Sequence, residues 1–210
     1  MSRRGHLFGR CLLALAMSAA ASSALADGPT TKPISAAISL ANVPSSDGGV
    51  DWGRAEGTID ARLEDVLAVL HDYARYAALF PHFEQSRVLS QRGTDAIVYL
   101  EAKILHGATT LWGQVRIGSR SPAPGSYVIE AKMMKGKGNI SQLVARWQVQ
   151  PSADGQSCRV VFDLLVDPDL PVPDVLVSSE LKNSAGRAFR ALRKRVAQHG
   201  TIAARPTTSM

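Results

Sequence analysis

The chain is poor in cysteine, in aromatic rings and in long apolar runs, and each shortage excludes something. It has two cysteines, Cys11 and Cys158, and the first falls in a segment expected to be cleaved. An intramolecular disulfide in the mature chain is then impossible, so stability must come from a packed core. The roughly 150 residues between the two tails are enough to build one. After Cys11–Ala21 no second apolar run follows, so no further membrane span is expected. Aromatic residues make up only 6% of the chain, which leaves few large rings to fill an interior. His71, His82, His106 and His199 find no second ligand at metal spacing, and Gly-x-Ser-x-Gly, Walker and Rossmann patterns are absent. No catalytic residue, metal ligand or cofactor is therefore assigned.

The N-terminus reads as an export signal over residues 1–26. Arg3, Arg4 and Arg10 form a positive region with no acidic residue beside them, and Cys11 to Ala21 is apolar but too short to anchor in a bilayer. Ala24-Leu25-Ala26 supplies the small-x-small pattern of a cleavage site, so the cut is expected after Ala26. Sec export is preferred. Ser2-Arg3-Arg4 opens a twin-arginine pattern that keeps Tat as the alternative, but His6 stands where that signal prefers an apolar aromatic. The formal charge is +6, and loss of the three arginines would halve it. That balance, without aromatic and basic residues interleaved, gives no support for a nucleic-acid partner.

Residues 27–49 are rich in Pro, Ser, Gly and Ala and read as a flexible arm, and 200–210 as a disordered tail. Between them, residues 50–199 form one continuous pattern. Trp52–Ile59 alternates as a strand with one buried face, and Asp60 is a good N-cap for a helix carrying Glu64, Asp65, Val66, Val69 and Leu70. A second short helix over 73–79 is stopped by Pro81. Six strands follow at about 84–91, 96–104, 109–119, 126–134, 140–150 and 158–166, with short connections that favour antiparallel pairing. The chain then forms one long helix over 173–199. Its apolar stripe of Val177, Leu181, Ala185, Ala188, Leu192 and Val196 must lie on a sheet. Arg187, Arg190, Arg193, Lys194 and Arg195 read as the solvated face, with transient membrane contact the alternative.

Four stretches in that order carry a resemblance. They are Glu56-Gly-Thr-Ile-Asp-Ala61; Val66-Leu-Ala-Val-Leu-His-Asp-Tyr-Ala-Arg-Tyr76 with Phe80-Pro81; Ser86-Arg-Val-Leu-Ser90; and Val166-Asp-Pro-Asp-Leu-Pro-Val-Pro173. Together the chain resembles the START-like (SRPBCC) helix-grip superfamily, in its polyketide cyclase/dehydrase or coenzyme Q-binding (Coq10-like) branch. The resemblance implies an α+β fold in which a curved, antiparallel seven-stranded sheet wraps the C-terminal helix, with two short helices after the first strand. It also implies a cavity between sheet and helix for an apolar small molecule such as a lipid, quinone, sterol or polyketide.

Strand parity gives an independent reading of that interior. Ala131 and Ala145 are small residues of inward parity. Leu111, Val115, Tyr127, Ile129, Met133, Leu143, Trp147 and Phe162 also fall on the inward face. With Val177, Leu181, Ala185 and Ala188 of the helix they make the candidate cavity wall. Glu101, Lys103, Arg116, Glu130, Lys132, Arg146 and Asp163 lie one residue out of phase and read as cross-strand ion pairs on the wet side. Trp112 shares that outward parity. Three functions fit: an exported carrier of an apolar molecule, a cyclase or dehydratase using Tyr127 or Thr109, or an interaction module with a filled core.

Overall fold

The computed structural model describes residues 37–46, 48–80, 83–104, 109–168 and 171–203, without the side chains of 104, 109 and 200–203. The expected signal peptide, its cleavage site and the last seven residues lie outside the described residues.

Eight strands form one antiparallel sheet. They are β1 (Ser39–Val43), β2 (Trp52–Ile59), β3 (Phe83–Arg92), β4 (Asp95–Ile104), β5 (Thr109–Ala123), β6 (Ser126–Gly138), β7 (Ile140–Pro151) and β8 (Cys158–Pro168). Their order is β1-β2-β8-β7-β6-β5-β4-β3. β3 to β8 run as a meander, and β8 then pairs with β2, so the first and last long strands lie together. Between β2 and β3 the chain crosses by α1 (Leu63–Leu70), a 3-10 turn at Tyr73–Arg75 and α2 (Tyr76–Leu79). The long helix α3 spans Asp174–Ala203.

The helix-grip fold is as the sequence implies, with one strand more. The extra strand, β1, comes from the segment expected to be a flexible arm. It pairs with β2 in register from Ser39↔Glu56 to Val43↔Trp52. The distant helix α3 holds it there: Asn42 donates to the Ser178 carbonyl at 2.9 Å, and Leu40 sits over Gly186. α1 also starts differently. Arg62, not Asp60, is its N-cap, and no side chain caps it; Arg62 instead pairs with Glu64 (3.1 Å) and Asp65 (3.4 Å). The short helix over 73–79 divides into the 3-10 turn and α2, and ends where Phe80 turns extended ahead of Pro81. Gly136 and Gly138, which fall between the expected strands over 126–134 and 140–150, are carried in the end of β6, where Gly136 takes a positive φ of 68°.

Placement of the helix follows from the inner face of β2. Gly53, Ala55, Gly57 and Ile59 alternate inward, and the two glycines let α3 come close. A methyl at Gly53 would stand 2.5 Å from the backbone nitrogen of Lys182 and nearer still to the carbonyl of Leu181. At Gly57 it would stand 3.2 Å from the Phe189 ring. Helix α3 therefore packs on β1, β2 and β8. Tyr73, Leu70, Phe189, Leu192, Val160 and Ile59 fill the closed end of the core.

The outer face carries the ion pairs that parity placed there. Register aligns Arg54, Asp163, Arg146 and Glu130 in one row across β2, β8, β7 and β6, with alternating charge. Arg54 grips Asp163 with Nε at 2.6 Å and Nη2 at 3.0 Å, and Arg146 meets Glu130 at 2.8 Å. Burial works to raise the Glu130 carboxyl, but bonds from Lys132 and Arg146 outweigh it and hold the group below its usual value. Trp112 is exposed on this face beside Tyr99.

Candidate ligand cavity

Because α3 is held close to β2, it stands away from the strands on the far side of the curved sheet. A cavity of about 760 Å³ opens there, between α3 and the inner faces of β4 to β8. That lies within the range of roughly 300–1,000 Å³ found for small-molecule sites. The register explains where the room comes from. Ala131 pairs with Ala145 across β6 and β7, so two methyl groups face inward at mid-wall where larger side chains would meet the helix.

One end of the cavity has an aromatic floor. Trp147 of β7 stacks on Phe162 of β8 with centroids 3.9 Å apart and planes 17° from parallel. Phe80, just after α2, stacks on the other side of Trp147 at 6.0 Å and meets Tyr76 edge-on at 5.1 Å. The Tyr76 hydroxyl is not free for a ligand, since it donates to the Leu70 carbonyl at 2.5 Å. Burial drives its ionisation well above the ordinary range, so it stays a neutral donor. Four of the chain's few rings, Tyr76, Phe80, Trp147 and Phe162, are gathered at this floor.

Nine residues assigned from the sequence lie on the wall: Leu111, Val115, Ile129, Leu143, Trp147, Phe162, Val177, Leu181 and Ala188. Three do not. Tyr127 has the inward parity but lies opposite Val149, one row beyond Trp147, where it packs against the closed core. Met133 covers Gly113 and Gly138, whose missing side chains make space for its thioether, and it lines a separate open groove at the β6–β7 turn. Ala185 is fully buried on α3 between Leu181 and Phe189, the residues that lie against Gly53 and Gly57.

The wall also has members that sequence reasoning missed. Tyr76, Phe80 and Phe83 enter from the α2 region. More consequential are Glu180, Ser184 and Arg187 of α3, which form a polar edge along the cavity. Arg187 is ion-paired with Glu180, and it donates to the Ser184 hydroxyl at 2.9 Å. Their spacing of four and three repeats that of the apolar stripe one position away, which is the signal that could have found them. Lys103, assigned outward by parity, also reaches the wall, where it pairs with Glu84 at 3.0 Å.

Other titratable groups stand apart from the cavity. His71 at the end of α1 lies 3.0 Å from the Ser119 hydroxyl, and burial lowers its pKa from 6.5. Asp72 pairs with Arg75 at 3.5 Å. Cys158 is buried, faces the Ala61 carbonyl, and its thiol is pushed up to about 11 by burial. A protonated, enclosed thiol has no nucleophilic character at neutral pH. Among the described residues no group of three or more His, Cys, Asp or Glu could hold a metal, and no helix is long and apolar enough to cross a membrane.

Fold and site together define a helix-grip domain in which one long helix closes an apolar cavity. The family described as polyketide cyclase/dehydrase and lipid transport matches residues 59–193, and the chain belongs to it. Solved structures share the fold. One is a STAR-related lipid transfer protein from Xanthomonas axonopodis, at 20% identity and a TM-score of 0.66, covering 79% of this chain and 95% of that one. Another is human StAR-related lipid transfer protein 5, at 14% identity and a TM-score of 0.65, covering 81% and 90%. The Zhui aromatase/cyclase of a Streptomyces species is similar at 15% identity and a TM-score of 0.55, covering 76% and 98%. No curated protein matches the chain in sequence.

Proposed function

We propose that this protein is an exported carrier that shields an apolar small molecule between its sheet and α3. The observation that carries the reading is the 760 Å³ cavity with its apolar wall. Burying apolar ligand surface there stabilises the complex by about 25 cal/mol per Å² removed from water, before association costs are subtracted. Lipids, quinones, sterols and polyketides all offer such surface. Val175 and Leu176, 72% and 60% exposed at the start of α3 and next to the cavity lining, support loading by transient contact with a membrane. Export through the residue 1–26 signal suits the same task, because an apolar molecule crossing an aqueous compartment needs cover.

The test is native mass spectrometry and solvent extraction of the full-length gene product recovered from cell fractions. The expected outcome is a periplasmic or secreted chain beginning at Asp27, with a stoichiometric apolar molecule attached. Repeated recovery of ligand-free protein that also takes up no fluorescent lipid or quinone would overturn the carrier reading. An intact N-terminus in the cytoplasm would remove export from it.

A further inference from the structure

The polar edge of the cavity carries information about the head of the ligand. Glu180, Ser184 and Arg187 lie on one flank of α3, against a wall that is otherwise almost wholly apolar. Arg187 is engaged by Glu180, and Ser184 is bonded to both of them, to Arg187 at 2.9 Å and to Glu180 at 3.4 Å. The third charge on the wall, Lys103, is tied to Glu84. Among the described residues, then, each charged group of the wall already has a counter-charge.

We infer that the site selects an uncharged amphiphile, with a hydroxyl or carbonyl head bonded at Glu180–Ser184–Arg187, and rejects the corresponding carboxylate. This deepens the carrier reading and rests on it. A neutral hydroxyl complements the ion pair from both sides, because it can accept from the Arg187 guanidinium while donating to Ser184 or to the Glu180 carboxylate. A carboxylate head, like a carbonyl, can only accept, but it also brings a full negative charge. At the cavity rim, where the Glu180 side chain is 57% and the Arg187 side chain 34% exposed, it would meet the Glu180 carboxylate, and it would have to displace Glu180 from Arg187 before gaining a cation of its own. Glu180 is thus the residue that determines head-group charge, although its own bonds are to the protein.

Competition binding at pH 8, with hexadecan-1-ol and hexadecanoate as probes, tests this. The wild-type protein should prefer the alcohol by about threefold to fivefold, the size of effect that an ion pair open to solvent confers. Glu180→Gln removes one counter-charge from beside Arg187 and should raise hexadecanoate affinity about threefold, while alcohol binding changes little. Arg187→Met should weaken both head groups and abolish the gain when combined with Glu180→Gln. A wild-type preference for hexadecanoate, or a preference ratio that Glu180→Gln leaves unchanged, overturns the inference while the carrier reading stands. Failure of the wild-type protein to bind either probe overturns the inference, and the carrier reading falls with it only if lipid and quinone uptake fail as well.

Discussion

Gly53 controls how close the long helix comes to the sheet, and Gly53→Ala tests whether that closeness is structural. The added methyl would stand 2.5 Å from the Lys182 nitrogen and closer to the Leu181 carbonyl. These are backbone atoms within a helix, so no side-chain rotation can relieve the clash. Restoring an ordinary contact requires α3 to move back by about 1 Å or more, and a gap of that size forfeits roughly a quarter to a half of each dispersion contact across it. Leu181, Ala185, Ala188 and Phe189 would all lose contact at once. Overpacking usually costs about 1–3 kcal/mol, and a backbone obstacle belongs at the upper end of that range. For a domain of this size about 3 kcal/mol corresponds to a fall in Tm of about 6–12 °C. Gly57→Ala is the control, because its methyl would meet only the Phe189 ring and the end of Arg193, at 3.2 and 3.3 Å. Thermal and urea unfolding of both variants measure the difference. If Gly53→Ala melts within about 2 °C of the wild type, or no lower than Gly57→Ala, the helix is not set by this contact.

Ala145→Phe places a ring in open cavity, so it should keep the wild-type Tm within a few degrees and cut hexadecan-1-ol binding about tenfold or more; Ala185→Phe, at a fully buried position, should instead cost about 3 kcal/mol or prevent folding. The reverse pattern would mean that the wall has been assigned to the wrong residues. Burial lowers the His71 pKa from 6.5, so the folded state favours the neutral ring. Its contribution is complete above pH 6.5 and is lost as pH falls through the depressed folded value. His71→Gln should therefore flatten the loss of stability below pH 6.5, by less than the ~1.4 kcal/mol per pH unit of a fully linked proton, and identical urea-unfolding slopes for the two proteins would refute this.

How much was legible depended on whether a property is local. Leu143, Trp147 and Phe162 could be assigned to the interior because a period of two decides the face of a strand without reference to any neighbour. Parity does not report depth along the strand, and so Tyr127 was put on the right face but one row too far in. Nor does it report what stands opposite: Met133 points inward in phase, yet the bare surfaces of Gly113 and Gly138 take its side chain. β1 was unreadable for a different reason. Its five residues, Ser-Leu-Ala-Asn-Val, have no sustained alternation, and what orders them is pairing with β2 and contact with α3, nearly 140 positions away. The polar edge was missed because an apolar stripe marks the part of a helix that packs. It says nothing of the adjoining flank, which faces the interior only where a cavity separates helix from sheet.

That separation has an energetic consequence for function. A dry void carries a cost of about 24 cal/mol per Å³ in cores that fail to collapse. This cavity of about 760 Å³ is partly open, so its cost is instead that of apolar wall left against water, about 25 cal/mol per Å². Collapse is opposed on one side by the helix, pinned through Gly53, and on the other by the charge row Arg54–Asp163–Arg146–Glu130, which holds four strands in register from outside. Water can enter, but a buried water needs two to four polar partners, and most of this wall has none. Among the described residues, the Glu180–Ser184–Arg187 edge and Lys103 offer them. An apolar chain against the wall, with a polar head at that edge, would satisfy both parts of the lining at once, as the proposed carrier role requires.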